Sequence, residues 1–487
     1  MTLSKLNPQN VWKHFYSLTQ IPRPSKREGK AVEYLEQFGK SLGLETIKDE
    51  VGNIIIRKEA TPGMEDRKGI ILQAHIDMVP QKNNDKVHNW DKDPIVPRIV
   101  DHNGEAWVYA TGTTLGADNG LGCAVAMAVL ESKDIAHGPI EALFTIDEET
   151  GMTGARALKG GLLKGDILVN LDSETEGELY VGCAGGLDAT ATFKYKEEEL
   201  PASYKTLIIN VKGLRGGHSG MEINEGRGNA NKVMVRVLLP ILRDLKGKLV
   251  SIEGGNLRNA IPREAVAKVA VPAENVIAVK DLVEQICAEV KKELEPIDPQ
   301  VTIFIEPSSS KVAMAGTVAL KVVKAVYACP NGVDRMSLAV EGLVETSNNL
   351  AIVKSEDGKI YVKCLLRGSS DTAKLDLSES IRAAFELAGA KVTMTGGYSG
   401  WQPNMKSPIL GTMKETYKKL YGVEPEIKAI HAGLECGILA KNYSHWDMIS
   451  CGPTIMSPHS PDERVLIDSV GKWWDFVKAV LEDAPKK

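Results

Sequence analysis

The chain has 487 residues, 43% of them hydrophobic, and a formal charge of −5 from 59 Lys plus Arg against 64 Asp plus Glu. Its charges are interspersed, which leaves no basic face for nucleic acid; it has no run of about 18 apolar residues for a membrane span, and residues 1–10 lack the charged-then-apolar pattern of a secretion signal. The seven cysteines are odd in number and lack CxxC spacing, as expected of reduced thiols in a cytoplasmic protein rather than a disulfide frame or structural zinc site; Cys123, Cys364 and Cys436 read as small apolar fillers.

The first helix signal is Pro24-Ser25-Lys26-Arg27-Glu28, a capping box ahead of the stripe Val32, Leu35, Phe38 and Leu42, with Gly43 as the stop. The apolar run Ile70, Ile71, Leu72 then leads into Ala74-His75-Ile76-Asp77-Met78-Val79-Pro80. An extended chain sends residues i and i+2 to one side, so a strand ending here aims His75 and Asp77 into one crevice, where Asp77 suits the carboxylate that orients a liganding imidazole. Taken alone, the pair reads more readily as a polar strand end than as a metal site. Thr113 to Gly120 precedes a helical pattern through Leu121, Val125, Val129 and Leu130, and either Asp118 or Asn119 fits the cap of that helix. Two more strand-like runs, 142–146 and 167–171, pass straight into Asp147-Glu148-Glu149-Thr150-Gly151 and Asp172-Ser173-Glu174. In an open α/β sheet, ligands bind beyond the carboxyl ends of the strands, so His75, Asp118, Glu148, Glu149 and Asp172 converge there, which capping alone does not explain.

From Gly182 the texture changes. Gly182-Cys183-Ala184-Gly185-Gly186 reads as a flexible crossing, followed by a strand at 207–211, a helix at 229–245, strands at 248–253 and 264–270, a helix at 279–293 and a strand at 301–305, a βαββαβ order. A similar set follows Ser308: a helix at 316–327, strands near 343–347 and 360–366, a helix near 377–388 and a strand near 391–395. The expected architecture is an α/β domain of residues 1–185 and 399–487, with a mixed central sheet flanked by helices, split by an inserted α+β domain, 186–398, of two ferredoxin-like halves. The returning segment, Cys451 to Glu463, puts His459 between two prolines in a turn-rich loop and runs on to a helix at about 469–481. Two imidazoles with several carboxylates suit zinc, cobalt or manganese better than calcium. Five candidate ligands overfill one tetrahedral zinc, whereas two ions can share a bridging carboxylate.

Together, His75-Ile76-Asp77, Gly116-Ala117-Asp118-Asn119-Gly120, Asp147-Glu148-Glu149-Thr150-Gly151, Leu171-Asp172-Ser173-Glu174 and Pro458-His459-Ser460 resemble, in order and over essentially the full length, the co-catalytic dinuclear zinc peptidase family that includes carnosinases, carboxypeptidase G and bacterial dipeptidases. The resemblance implies a zinc-peptidase catalytic domain with two zinc ions per subunit, cobalt or manganese being substitutes. His75, Asp118 and Asp172 would hold one ion and Asp118, Glu149 and His459 the other, with Asp118 bridging. Glu148 would be the general base for a metal-bridging water and Asp77 the partner of His75. In the insert, which would act as a lid and dimerisation domain, His218 of Leu214-Arg215-Gly216-Gly217-His218-Ser219-Gly220 would stabilise the oxyanion, from its own subunit or a partner's. Asn259 would contact substrate, Arg367 would clamp the substrate carboxylate in two bonds, and Gly433 would offer that carboxylate a backbone N–H. The implied activity is hydrolysis of unblocked dipeptides, including Xaa-His dipeptides such as carnosine, by a cytoplasmic homodimer that binds neither nucleic acid nor membrane. An N-acyl amino acid deacylase or carboxypeptidase of the same family would share every metal residue, and a silent binding or scaffold protein would share the fold.

Overall fold

Apolar strands and helical stripes sort into two units in the computed structural model, which describes residues 3–487. The first unit comprises the chain up to Gly182, Trp401–Ala429 and Leu434–Lys487, and the second Cys183–Gly400 and Ile430–Gly433. The short Ile430–Gly433 return to the second unit carries no composition signal and was not anticipated.

The first unit begins with helices α1 (Gln9–Thr19) and α2 (Gly29–Ser41). The expected capping box does not form. Glu28 is the residue that precedes α2 and makes no side-chain cap, while the Ser25 hydroxyl donates to the Met78 carbonyl oxygen instead, at 3.3 Å. Helix α1, which the sequence analysis passed over, buries Val11, Trp12, Phe15 and Leu18. Strands β1 (Glu45–Lys48), β2 (Ile54–Lys58), β3 (Ile70–His75), β4 (Ile140–Thr145), β5 (Ile167–Asn170) and β6 (Glu178–Cys183) follow, with helix α3 (Ala117–Glu131) between β3 and β4. Strands β3, β4 and β5 are buried at every residue, which is why their sequences are apolar runs rather than alternations. Helix α3 is likewise apolar on nearly all sides, since it lies within the core rather than on a surface.

In the second unit the strands of the large sheet are β7 (Gly185–Lys194), β8 (Tyr204–Lys212), β9 (Lys248–Gly254), β10 (Ala265–Pro272), β11 (Thr302–Ser308), β12 (Gly332–Met336), β13 (Val344–Glu356), β14 (Lys359–Gly368) and β15 (Lys391–Tyr398). Helices α4 (Ala230–Asp244), α5 (Val276–Leu294), α6 (Val318–Ala328) and α7 (Asp371–Leu387) share their core, which includes Val237, Ile241, Val283, Val323, Ile381 and Phe385. The strand order β11-β8-β10-β9-β13-β14-β7-β15, with β12 beside β13, contains both ferredoxin-like halves. Two points differ from expectation. The halves join edge to edge through β9 and β13, where Glu253 pairs with Lys354 and Gly254 with Val353, so they form one continuous antiparallel sheet. The first strand of the second half is β7, so the other half is itself an insertion within it. The Gly-rich crossing is not a loose loop either: only Ala184 separates β6 from β7, and its N–H donates to the carbonyls of Ile430 and Ala432.

The chain then completes the first unit with helix α8 (Pro408–Tyr421), strands β16 (Glu426–Ile430) and β17 (Asp447–Ser450), and helix α9 (Ile467–Glu482). The resulting mixed sheet has the order β1-β2-β4-β3-β5-β17-β6-β16, and its centre, β4, β3, β5 and β17, is parallel. All four central strands therefore end on the same edge, where polar side chains can gather. Among the described residues no helix is long and apolar enough to cross a membrane.

Candidate active site

His75 is the last residue of β3 and is almost fully buried, and Asp77 lies two residues beyond it with no exposure. His75 Nδ1 is 3.3 Å from Asp77 Oδ1, which holds a proton on Nδ1 and turns Nε2 toward the other acids. That Nε2 lies 3.0 Å from Asp118 Oδ1 and 3.3 Å from Asp172 Oδ1. Asp172 follows β5, as the parallel centre of the sheet requires. The other oxygen of Asp118 faces a different imidazole: Oδ2 is 3.2 Å from His459 Nε2, which is also 2.9 Å from Glu149 Oε2. His459 sits in left-handed backbone at φ 60°, a conformation that costs a non-glycine residue about 1–3 kcal/mol and that points its ring into the cluster.

Glu148 and Glu149 follow β4 in a one-turn helix, and their backbone N–H groups donate to Asp77 Oδ1 and Oδ2 at 3.0 and 3.3 Å. Asp77 thus holds the ring of His75 and the backbone of both glutamates. The preceding Asp147, left-handed at φ 51°, accepts hydrogen bonds from the hydroxyls of Thr150 and Thr153, which closes the turn.

The electrostatics describe a crowded anionic pocket. The Asp118 and Glu149 contacts raise the His459 imidazole to about 11 against the cost of burial. Burial would lower His75, but Asp172, Asp118 and Asp77 outweigh it and hold the ring well above the usual histidine range. Burial pushes Glu148 well above the usual carboxylate range, only partly offset by His75. Acids that drive imidazoles to take up protons will exchange those protons for a divalent cation. The donors fit one: His75, Asp118 and Asp172, and separately Asp118, Glu149 and His459, each offer three ligand atoms within 4.8 Å of one another. His75, Glu148 and Glu149 make a third such group. Glu149 Oε1 is buried without a hydrogen-bond partner, as an unused ligand atom would be.

The residues expected in the insert form their own cluster. Arg367, on β14 and 6% exposed, approaches Ser219 Oγ with Nε at 3.4 Å and His218 Nε2 with Nη2 at 3.5 Å. His218 Nδ1 accepts the backbone N–H groups of Gly220 and Met221, which leaves the proton on Nε2, and burial beside the Arg367 guanidinium lowers its pKa. Asn259 is exposed, and its carbonyl accepts the Ser219 N–H at 2.8 Å. The segment ending in Gly433 reaches the same place: a side chain on Gly220 would meet the His431 carbonyl oxygen at 2.3 Å.

Several residues of both clusters escaped the sequence analysis. His431 is buried beside Arg367 and bonded to Ser347 Oγ at 2.7 Å. Under β3, β4 and β5 runs a buried chain from Glu435 through Gln73 (2.7 Å) and Asn170 (2.5 Å) to Ser450 (2.5 Å). The available signal was a polar residue inside an otherwise apolar strand, Gln73 and Asn170 both being of that kind.

Residues 71–483 match the model of Peptidase family M20/M25/M40. The chain is 46% identical over 486 residues to the cytosol non-specific dipeptidase of Escherichia coli (strain K12), covering 100% of this chain and 99% of that one. The crystal structure of aminoacylhistidine dipeptidase from Vibrio alginolyticus superposes with a TM-score of 0.93 at 47% identity, over 100% of this chain and 99% of that one. The aminopeptidase PepT of Bacillus cereus ATCC 10987 shares the fold at 17% identity and a TM-score of 0.57, over 98% and 99% of the two chains. With a family match across both parts of the split unit and the insert between them, the chain belongs to the Peptidase family M20/M25/M40.

Proposed function

We propose that this chain is a metal-dependent dipeptidase that hydrolyses unblocked dipeptides, Xaa-His dipeptides such as carnosine among them, in the cytoplasm. The observation that carries the reading is the division of Asp118, whose two oxygens each face a separate imidazole and acid, with Glu148 left beside them. Full-length identity to proteins named as dipeptidases supports the substrate class. Two zinc ions, replaceable by cobalt or manganese, are assigned to His75, Asp118 and Asp172 and to Asp118, Glu149 and His459. When bound, such ions supply Lewis-acid polarisation of the scissile carbonyl and stabilisation of the negative charge that develops on it.

The chain's own groups do the rest. Glu148 takes the proton of the attacking water on its carboxylate and returns it to the leaving amine. Its raised proton affinity suits that exchange, since a base must also give the proton up. Asp77 keeps Glu148 and Glu149 pointing apart by gripping both backbone N–H groups, so one serves as base and the other as ligand. In the second unit, neutral His218 donates a hydrogen bond from its Nε2–H to the oxyanion, while Arg367, Asn259 and the Gly433 N–H recognise the substrate, Arg367 taking the terminal carboxylate.

The test is Glu148→Gln, measured for metal content and for turnover of a free-amine dipeptide and its N-acetylated form. The variant should keep its metal and lose about 10²–10⁴-fold in kcat, and the wild type should cleave only the free-amine substrate. Normal turnover in the variant removes Glu148 as base, and preference for the acetylated substrate makes the protein a deacylase.

A further inference from the structure

Two charged side chains outside the ligand set grip the backbone that carries it. Glu463, 2% exposed, accepts four backbone N–H groups from one loop: Leu115 at 2.6 Å and Gly116 at 2.9 Å on Oε2, Ala117 at 2.8 Å and Asp118 at 3.3 Å on Oε1. Arg23, also 2% exposed, donates from Nη1 to the carbonyls of Ile76 (2.8 Å) and Asp77 (3.1 Å) and from Nη2 to that of Gly116 (2.5 Å).

His75, Asp118 and His459 come from three distant stretches of chain, and these two side chains join them. Arg23 ties the His75–Asp77 stretch to the Asp118 loop, and Glu463, four residues after His459, ties the His459 loop to the same place. The glycines of Gly116-Ala117-Asp118-Asn119-Gly120 fit this arrangement. A side chain on Gly116 would lie 2.6 Å from Arg23 Nη2 and one on Gly120 2.5 Å from it, so the motif keeps glycine where the guanidinium must approach the backbone.

We propose that Glu463 and Arg23 are positioning residues that hold the Asp118 loop so that its two carboxylate oxygens stay divided between His75 and His459. A simpler role is available: α3 begins at Ala117 without a side-chain cap of its own, and Glu463 satisfies the first-turn N–H groups. The two roles predict different things. A cap affects only the stability of the fold, whereas a positioning residue governs how tightly the ligand set holds its ions.

The proposal rests on the two-metal reading above, and the experiment separates the two. Apoprotein of the wild type and of Glu463→Gln is titrated with cobalt(II), followed by calorimetry and visible absorption, with circular dichroism reporting the fold. The wild type should bind two equivalents; if it binds none, the two-metal reading fails. The Gln variant keeps the volume but turns an amide donor toward the loop N–H groups. It should bind at least one equivalent tenfold or more weakly and with an altered visible band, while remaining folded. Affinities within twofold of wild type in the folded variant overturn the proposal and leave Glu463 a cap. If the Gln variant does not fold, Glu463→Asp, which keeps the charge one methylene short, is titrated and judged by the same limits.

Discussion

Asp77 receives hydrogen bonds from the ring of His75, the backbones of Glu148 and Glu149 and the side chain of Ser25. Replacing it by Asn keeps the shape but forces an amide N–H against a donor on one side. Asp77→Asn should therefore reduce kcat by about 10–100-fold, the range for lost partners of metal-liganding histidines, with near-normal melting temperature. Wild-type kcat would make Asp77 a strand-end polar residue and no more. At this scale legibility followed side-chain chemistry. His75, Glu149 and Asp172 are His and acidic residues at or just after the ends of apolar strands, which sequence displays, while Asp118 and His459 stand in loop motifs. Glu463 and Arg23 bind backbone groups, and a backbone N–H or carbonyl leaves no mark on the residue type that carries it.

Among elements, the Ile430–Gly433 segment is held by the Ala184 N–H and by the His431–Ser347 bond. Burial, reinforced by the Arg367 charge, lowers the His431 pKa to about 3 from an ordinary 6.5. The unfolded chain therefore binds a proton between those values that the folded chain refuses, so the stability tied to neutral His431 is complete above about pH 6.5 and falls as pH drops toward 3. Urea unfolding of wild type and His431→Gln at pH 7, 5.5 and 4 should show the wild type losing more stability on acidification, by up to about 1.4 kcal/mol per pH unit. Parallel pH dependences in the two proteins would refute the assignment. The helices and strands around this segment were readable from periodicity, but the segment itself was not, because its four residues have no period to read.

For the whole molecule, the candidate ligands all belong to the first unit and the substrate-recognition candidates to the second, Gly433 through its short return. Ions that bind only the folded split unit stabilise that unit by about 2.7 kcal/mol per site at a hundredfold excess over Kd. Calorimetry with and without chelator should therefore move one transition downward and leave the insert's transition in place; a shift of both equally would contradict the division. The two ferredoxin-like patterns were legible, but their joining into one sheet was not. The seam rests on two paired residues on each strand, and β7 lies far in sequence from the strands it completes.

The place of β17 in its sheet has a consequence for biosynthesis. It lies between β5 and β6, strands made long before it, whereas every strand of the insert precedes it in the chain. On the ribosome the insert can therefore finish folding while the split sheet still has a gap at its centre, with the apolar edge of β5 unpaired. The nascent chain can pass through a stage in which its second unit is built and the sheet that carries the candidate metal ligands is open. At that stage the unpaired edge of β5 is open to aggregation.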